Sequence, residues 1–408
     1  MCHYGQGVIS LDDARNHVLN LCKVLPEALV PLADALGCVA SQDITAIDPV
    51  PPFDNSAVDG FAVISSDTTQ IGRPLKILGT IAAGGHSTVA IGHGETMRIM
   101  TGAPIPPGVD AIVMVEDAVV DSGGSSVTFG RSVAAGDAVR LAGSDVAAGQ
   151  LVFPAGTAFH PAHIGMLASL GRLRVPVIGR PRVALFSTGD EFVDDERPLG
   201  PGEIRESNRR MLHGLVSEAG CTPVDLGTVK DDEAALDDVL VDAARHYDAI
   251  ITSGGVSMGD FDVVKAVLSR RADMRWMQIA MKPAKPFAFG LLDGVPLFGL
   301  PGNPVSSLIS FEMLARPALR KMMGHTAEAE RPRVQAVLDQ PLRRHRDGKV
   351  HITRVHGAFG PDGRWHIRAG GPQGSHQLAA TAHANSLALI ADGEGLAAGD
   401  SVETILLR

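Results

Sequence analysis

Three times between residues 179 and 326, a short apolar run ends in a glycine turn that carries polar groups. Ala249, Ile250 and Ile251 lead into Thr252, Ser253, Gly254 and Gly255. Arg182 to Phe186 lead into Ser187, Thr188, Gly189, Asp190 and Glu191. Pro296 to Leu300 lead into Pro301, Gly302, Asn303 and Pro304, and a helical pattern follows as far as Met323. A short apolar run closed by turn residues reads as a buried parallel strand. Glycine lets the chain turn where a Cβ would clash, and a helix N-terminus beyond such a turn receives anions.

After Gly255, Asp260 reads as the N-cap of a helix whose apolar positions are Phe261, Val264, Ala266, Val267 and Leu268. The acids Asp260 and Asp262 stand close to Ser253, Ser257 and a run of bare N–H groups. Anion donors beside carboxylates point to an anionic substrate held together with a divalent cation. One such turn reads equally well as an ordinary capped strand–helix connection. Three of them at the carboxyl ends of parallel strands would converge on one cleft.

The surrounding pattern predicts strands near 182–187, 222–228, 248–252, 275–281 and 295–299, and helices near 206–219, 232–246, 260–271 and 304–323. This is a doubly wound α/β domain over 179–326. Residues 8–49 read as helical, with a second helix from Leu29 to Leu36 closed by Gly37, and 146–178 return to a helical pattern. These two pieces are expected to form one helical linker or dimerisation domain, with a small inserted β domain, 50–145, between them. Short Val-, Ile- and Thr-rich runs between glycine turns suggest a small barrel or sandwich there. A β-rich, barrel-like domain is expected over 331–408. Its basic residues Arg331, Arg333, Arg343, Arg344, Arg346, Lys349 and Arg354 read as a solvated hairpin, with a phosphate-facing patch as the alternative.

Composition narrows the function. The formal net charge is −10 and aromatic content is 4%, which argues against nucleic-acid binding and base-stacking platforms. Cys2, Cys22, Cys38 and Cys221 lie far apart, so neither a zinc site nor a disulfide framework is indicated. No histidine spacing suggests a metal site, and His160 and His163 read as surface residues. No signal-type segment and no apolar run long enough to span a membrane is evident, so a soluble cytoplasmic protein is expected.

Six segments carry a resemblance: PPFDNSAVDGFAV (51–63), MTGAPIPPGVDAIVMVED (100–117), FSTGDE (186–191), TSGGVSMGDFD (252–262), MKPAKPFAFG (281–290) and GLPGNPVSS (299–307). In that order the chain resembles the molybdopterin molybdenumtransferase (MoeA) family and is similar to the gephyrin E-domain, over about residues 8 to 408. The resemblance implies an elongated homodimer that inserts molybdate into adenylylated molybdopterin with release of AMP and with Mg²⁺. It implies catalytic roles for Asp59, Thr101, Asp145, Glu191, Asp231 and Asp262, with Glu191, Asp231 and Asp262 as metal ligands. It implies binding roles for Arg140, Lys282, Lys285, Pro301 and Pro304, beside the turn residues Ser187, Thr188, Gly189, Ser253, Gly254, Gly255 and Ser257. Candidate protein partners are the molybdopterin adenylyltransferase and molybdoenzyme chaperones. Taken as residues alone, Asp145 and Asp231 also fit helix caps, and Asp59 a turn residue before Gly60.

Departures from the family pattern are local. Ala284 replaces the glycine of a common PGKP turn, where a positive φ is costly for alanine. Gln278 stands where a basic residue is usual, and Phe192 where a leucine is. Two other readings remain: the molybdopterin adenylyltransferase, which resembles only 179–326, and a non-catalytic scaffold of the gephyrin kind.

Overall fold

The computed structural model describes residues 7–254, 263–326 and 329–407. The chain divides into two compact units: 1–29, 37–41 and 176–408 make the first, and 30–36 with 42–175 the second.

The first unit is built on a six-stranded sheet in the order Thr222–Val229, Arg182–Thr188, Ala249–Ser253, Val295–Leu300, Pro286–Leu292, Asp273–Gln278. The first four strands run parallel, and Pro286–Leu292 is antiparallel to both of its neighbours. Successive side chains on a strand face opposite sides, so Val183 and Leu185 enter one core while Ala184 and Phe186 enter the other. The first core also takes Ala14 and Val18 of helix Leu11–Leu21 and Leu212 and Val216 of helix Asn208–Glu218. The second takes Leu236 and Leu240 of helix Glu233–His246 and Val264, Val267 and Leu268 of helix Val263–Arg271. This is the doubly wound domain expected, with the antiparallel strand Pro286–Leu292 as an addition that its proline-rich approach conceals.

Residues 333–406 of this unit form a barrel. Strand Val350–Phe359 pairs with Trp365–Ala369 and with Ser386–Ile390; Arg333–Leu338 and Ser401–Leu406 complete a closed ring of five strands. The solvated-hairpin reading of its basic residues fails for three of them. Arg331 is held by Glu312 and Glu218, Arg344 by Asp347 and Asp392, and Arg354, 1% exposed, by backbone carbonyls, Gln373 and Thr381.

The second unit contains one six-stranded sheet, ordered Ala111–Met114, Gly60–Val63, Glu95–Ile99, Leu75–Ile81, Ser126–Phe129, Ala118–Val120. Phe61 and Val63 enter a core on one face, and Ala62, Ile99 and Ile112 a core on the other. A single sheet with two covered faces thus replaces the barrel or sandwich expected. Gly60 is required in it, because a Cβ there would lie 2.1 Å from the Val113 carbonyl oxygen.

Two helix expectations are corrected. Glu27–Pro31 is a strand and Leu32–Asp34 a single tight turn, with Leu29 and Leu36 exposed. Pro31 removes a backbone donor in mid-segment, and alternation in burial replaces the helical stripe. In 146–178 only Pro161–Ser169 is helical; Leu151–Phe153 and Arg174–Ile178 are strands, the latter burying Val175 and Val177 at period two.

Candidate functional site

The three glycine turns meet. Ser187 lies opposite Ser253, and Ser253 opposite Leu300, so the turns that follow these strands are adjacent at one edge of the sheet. The edge lies where the chain order reverses between strands Arg182–Thr188 and Ala249–Ser253, the switch point at which open α/β sheets bind ligands. The Gly254 N–H donates to the Leu300 carbonyl at 3.0 Å. Gly254 has φ +99°, and a Cβ would stand 3.3 Å from the Thr188 carbonyl oxygen. Only glycine combines that φ with that approach.

Asn208 locks the arrangement. Its Nδ2 donates to Ser253 Oγ at 2.8 Å and to the Gly302 carbonyl at 2.7 Å. Pro301 is buried, and Pro304 opens the helix Pro304–Ser310 at its first turn, where a missing N–H costs nothing. Ser187 is fully buried and shares a 3.2 Å hydrogen bond with Thr228, so its hydroxyl faces the neighbouring strand.

The antiparallel strand brings the lysines toward the same edge. Ala288 lies opposite Gly299 and Pro286 opposite Gln278, so Lys285 stands beyond the carboxyl ends of the parallel strands. Lys285 and Lys282 are exposed, and the Lys285 carbonyl accepts from the Ile279 N–H at 2.8 Å. Ala284 between them is buried at φ +74°. The backbone therefore keeps the conformation a glycine would take, at the steric cost an alanine bears.

Glu191 and Asp231 are exposed just past the ends of two paired strands, where Thr188 lies opposite Val229. The Glu191 carboxylate folds over Gly189, at φ +146°; a Cβ on Gly189 would lie 2.3 Å from Glu191 Oε2. The cap alternative for Asp231 fails, because Asp232 caps helix Glu233–His246 by accepting from the Ala235 N–H at 2.9 Å. Among the described residues no group of three acidic, histidine or cysteine side chains is placed to hold a metal. Gly255, Ser257, Asp260 and Asp262 lie outside the described residues.

The second unit gathers its four candidates around the segment 50–60. Asp59 accepts from the Thr101 N–H at 2.7 Å and from its hydroxyl at 2.8 Å. These bonds, the backbone one first, hold the Asp59 carboxyl below the usual aspartate range. Arg140 lies opposite Asn55 in a short ladder and donates to the Ala57 carbonyl at 3.3 Å. Asp145 donates its N–H to the Val50 carbonyl at 3.0 Å, far from any helix start, so the cap alternative falls there too. All four side chains are exposed. A single proline-stiffened loop thus carries two others, and the polar groups are presented outward.

Two features of the first unit are not legible in the motifs. Asn208 stands in a run read simply as the start of a helix. Its neighbour Arg209, 2% exposed, is held by Asp225 and Asp194. Burial pulls the Arg209 pKa down, and the bonds and charges of the two aspartates outweigh it and leave it raised. This fixes the start of the helix that carries Asn208.

Fold and edge together define a doubly wound α/β enzyme body whose polar glycine turns gather at the switch point of the sheet. Comparison with known proteins supplies the family. Residues 9–171 match the MoeA N-terminal region (domain I and II), and 184–321 match a probable molybdopterin binding domain. The chain is 34% identical over 397 residues to a molybdopterin molybdenumtransferase of Haemophilus influenzae, covering 97% of this chain and 98% of that protein. It is 39% identical over 389 residues to molybdopterin molybdenumtransferase 2 of Mycobacterium tuberculosis, covering 93% and 94%. The crystal structure of the molybdopterin biosynthesis moeA protein from Pyrococcus horikoshii OT3 superposes with a TM-score of 0.78 at 27% identity, over 98% of this chain and all of that one. The chain belongs to the molybdopterin molybdenumtransferase family, transferases of molybdenum cofactor biosynthesis.

Proposed function

We propose that this protein inserts molybdate into adenylylated molybdopterin and releases AMP, as a Mg²⁺-dependent homodimer. The observation that carries the reading is the convergence of the turns at Thr188–Gly189, Ser253–Gly254 and Pro301–Gly302, with Lys285 at the same edge. Turn N–H groups and hydroxyls bind the phosphates of the pterin nucleotide, and Lys285 and Lys282 neutralise phosphate or molybdate charge. Pro301 and Pro304 stiffen the turn that approaches the ligand.

The donors at Glu191 and Asp231 are carboxylate oxygens on adjacent strand ends, a hard-oxygen set that suits Mg²⁺, which is commonly bound by one or two carboxylates together with substrate phosphates. Glu191 and Asp231 would hold it, with Asp262 as the third ligand by family resemblance. When bound, it supplies charge neutralisation at the phosphoanhydride that joins AMP to the pterin phosphate. In the second unit Asp59, Thr101, Arg140 and Asp145 are proposed as functional residues of the same reaction.

The test is AMP release from adenylylated molybdopterin with Mg²⁺, with and without molybdate. Molybdate-dependent release supports the reading. Turnover of ATP with molybdopterin in the absence of molybdate would point to the adenylyltransferase, and no turnover at all to a scaffold. Asp262→Asn, of conserved size, is expected to lower AMP release ~10²-fold while leaving the melting temperature unchanged. Early melting of that variant would make Asp262 structural.

A further inference from the structure

We infer that Asn208 is a positioning residue for this site: it fastens the turn after strand Ala249–Ser253 to the turn after Val295–Leu300 and sets the donors both turns present. The inference rests on the proposed reading of this edge as the pterin-nucleotide site.

Asn208 opens helix Asn208–Glu218 and is 4% exposed. The Gly302 carbonyl only accepts, so it fixes which end of the amide faces the turns: the nitrogen. Both hydrogens of Nδ2 are used there, one on Gly302 and one on Ser253 Oγ, residues 94 and 45 positions away in sequence. Asn208 Oδ1 is buried and has no protein hydrogen-bond partner among the described residues. Nor does it serve as a cap, since this helix start shows no side-chain cap bond. Among the described residues its side-chain hydrogen bonds are the two it donates.

Those two bonds have consequences at the edge. A hydroxyl has one hydrogen and two acceptor sites. Because Ser253 Oγ accepts from Asn208, its single hydrogen is left to be donated elsewhere. The peptide between Gly302 and Asn303 is planar and trans, so a carbonyl drawn toward Asn208 turns the Asn303 N–H the opposite way. Asn303 is exposed. One buried side chain therefore orients two donors, the Ser253 hydroxyl and the Asn303 N–H, on two different turns. The buried Arg209 anchor next to it, held by Asp194 and Asp225, keeps the helix start from shifting.

The experiment compares wild type, Asn208→Ala, Asn208→Asp, Ser253→Ala and the Asn208→Ala/Ser253→Ala double variant. Calorimetric affinity for adenylylated molybdopterin and kcat and KM for AMP release are measured, each at a temperature where thermal melting shows the protein folded. Asn208→Ala and Ser253→Ala should each lose about tenfold or more in affinity and kcat/KM, and the double variant should lose little beyond Asn208→Ala alone. Asn208→Asp matches the size but cannot donate, so it should behave like Asn208→Ala; it also carries the comparison if Asn208→Ala fails to fold. Affinity and kcat/KM within about twofold of wild type in Asn208→Asp would overturn the inference, as would losses that multiply in the double variant. A wild type that does not bind the nucleotide would remove the site reading itself, and the inference with it.

Discussion

Asp59 accepts both the N–H and the hydroxyl of Thr101, at 2.7 and 2.8 Å, joining loops 42 residues apart in sequence. The carboxyl is exposed yet held below its ordinary value of 3.8 by those bonds. For a group lowered on folding, the stabilisation is complete above the unfolded pKa and is lost as pH falls through the folded one. The contact is therefore intact at neutral pH and weakens only in acid. Thr101→Val should raise the Asp59 pKa toward 3.8 while the backbone bond remains, as followed by carboxyl NMR titration. An unmoved titration would show that the hydroxyl contributes nothing.

Lys285 is proposed as a counter-charge for an anionic ligand, so its effect should be electrostatic and screened by salt. Lys285→Ala is expected to weaken nucleotide binding about tenfold at low ionic strength and by much less near 0.5 M salt. Equal affinity at low salt would exclude Lys285 from the site.

Ala284 is buried at φ +74°, a conformation that costs an L-residue about 1–2 kcal/mol. Ala284→Gly relieves that strain but exposes a cavity the size of one methyl, worth about 0.8 kcal/mol, and frees the unfolded chain. The terms nearly cancel, so Ala284→Gly should change stability by less than about 1 kcal/mol. Ala284→Val adds branching and volume at the same φ and should cost about 3 kcal/mol or more. Urea unfolding of both variants checks the pair; a well-tolerated valine would mean the turn relaxes.

The sequence was most legible where chemistry is local. Apolar runs ending at Thr188, Ser253 and Leu300 announced strands, and the glycines after them announced close approach, as Gly254 against Thr188 bears out. It was least legible where the outcome depends on partners far along the chain. Leu29 and Leu36 fit a helical stripe, but Pro31 and pairing decided for strand. Arg354 reads as a surface charge in a basic run, and nothing near it forecasts that the 372–381 segment would wrap it with carbonyls. Asn208 looks like any polar residue at a helix start, because its two partners lie 45 and 94 residues away.

His366 lies between two carboxylates, with Nδ1 2.8 Å from Asp339 and Nε2 3.1 Å from Asp362. Both ring nitrogens donate only when the imidazole is protonated. The bond to Asp339 first, and that to Asp362 second, raise its pKa above 6.5. A group raised on folding stabilises fully below its unfolded pKa, and the contribution disappears as pH rises through the folded value. The link from strand Trp365–Ala369 to Asp339, just beyond strand Arg333–Leu338, should therefore be firm in mild acid and loosen above neutrality. His366→Gln keeps a polar side chain but no charge, so the stability gap between wild type and this variant should shrink as pH goes from about 6 to about 9. NMR titration of the His366 ring, followed beside thermal melting at each pH, tests both halves. A midpoint at or below 6.5, or a gap that stays constant across the range, would show that the two aspartates do not hold the histidine as a cation.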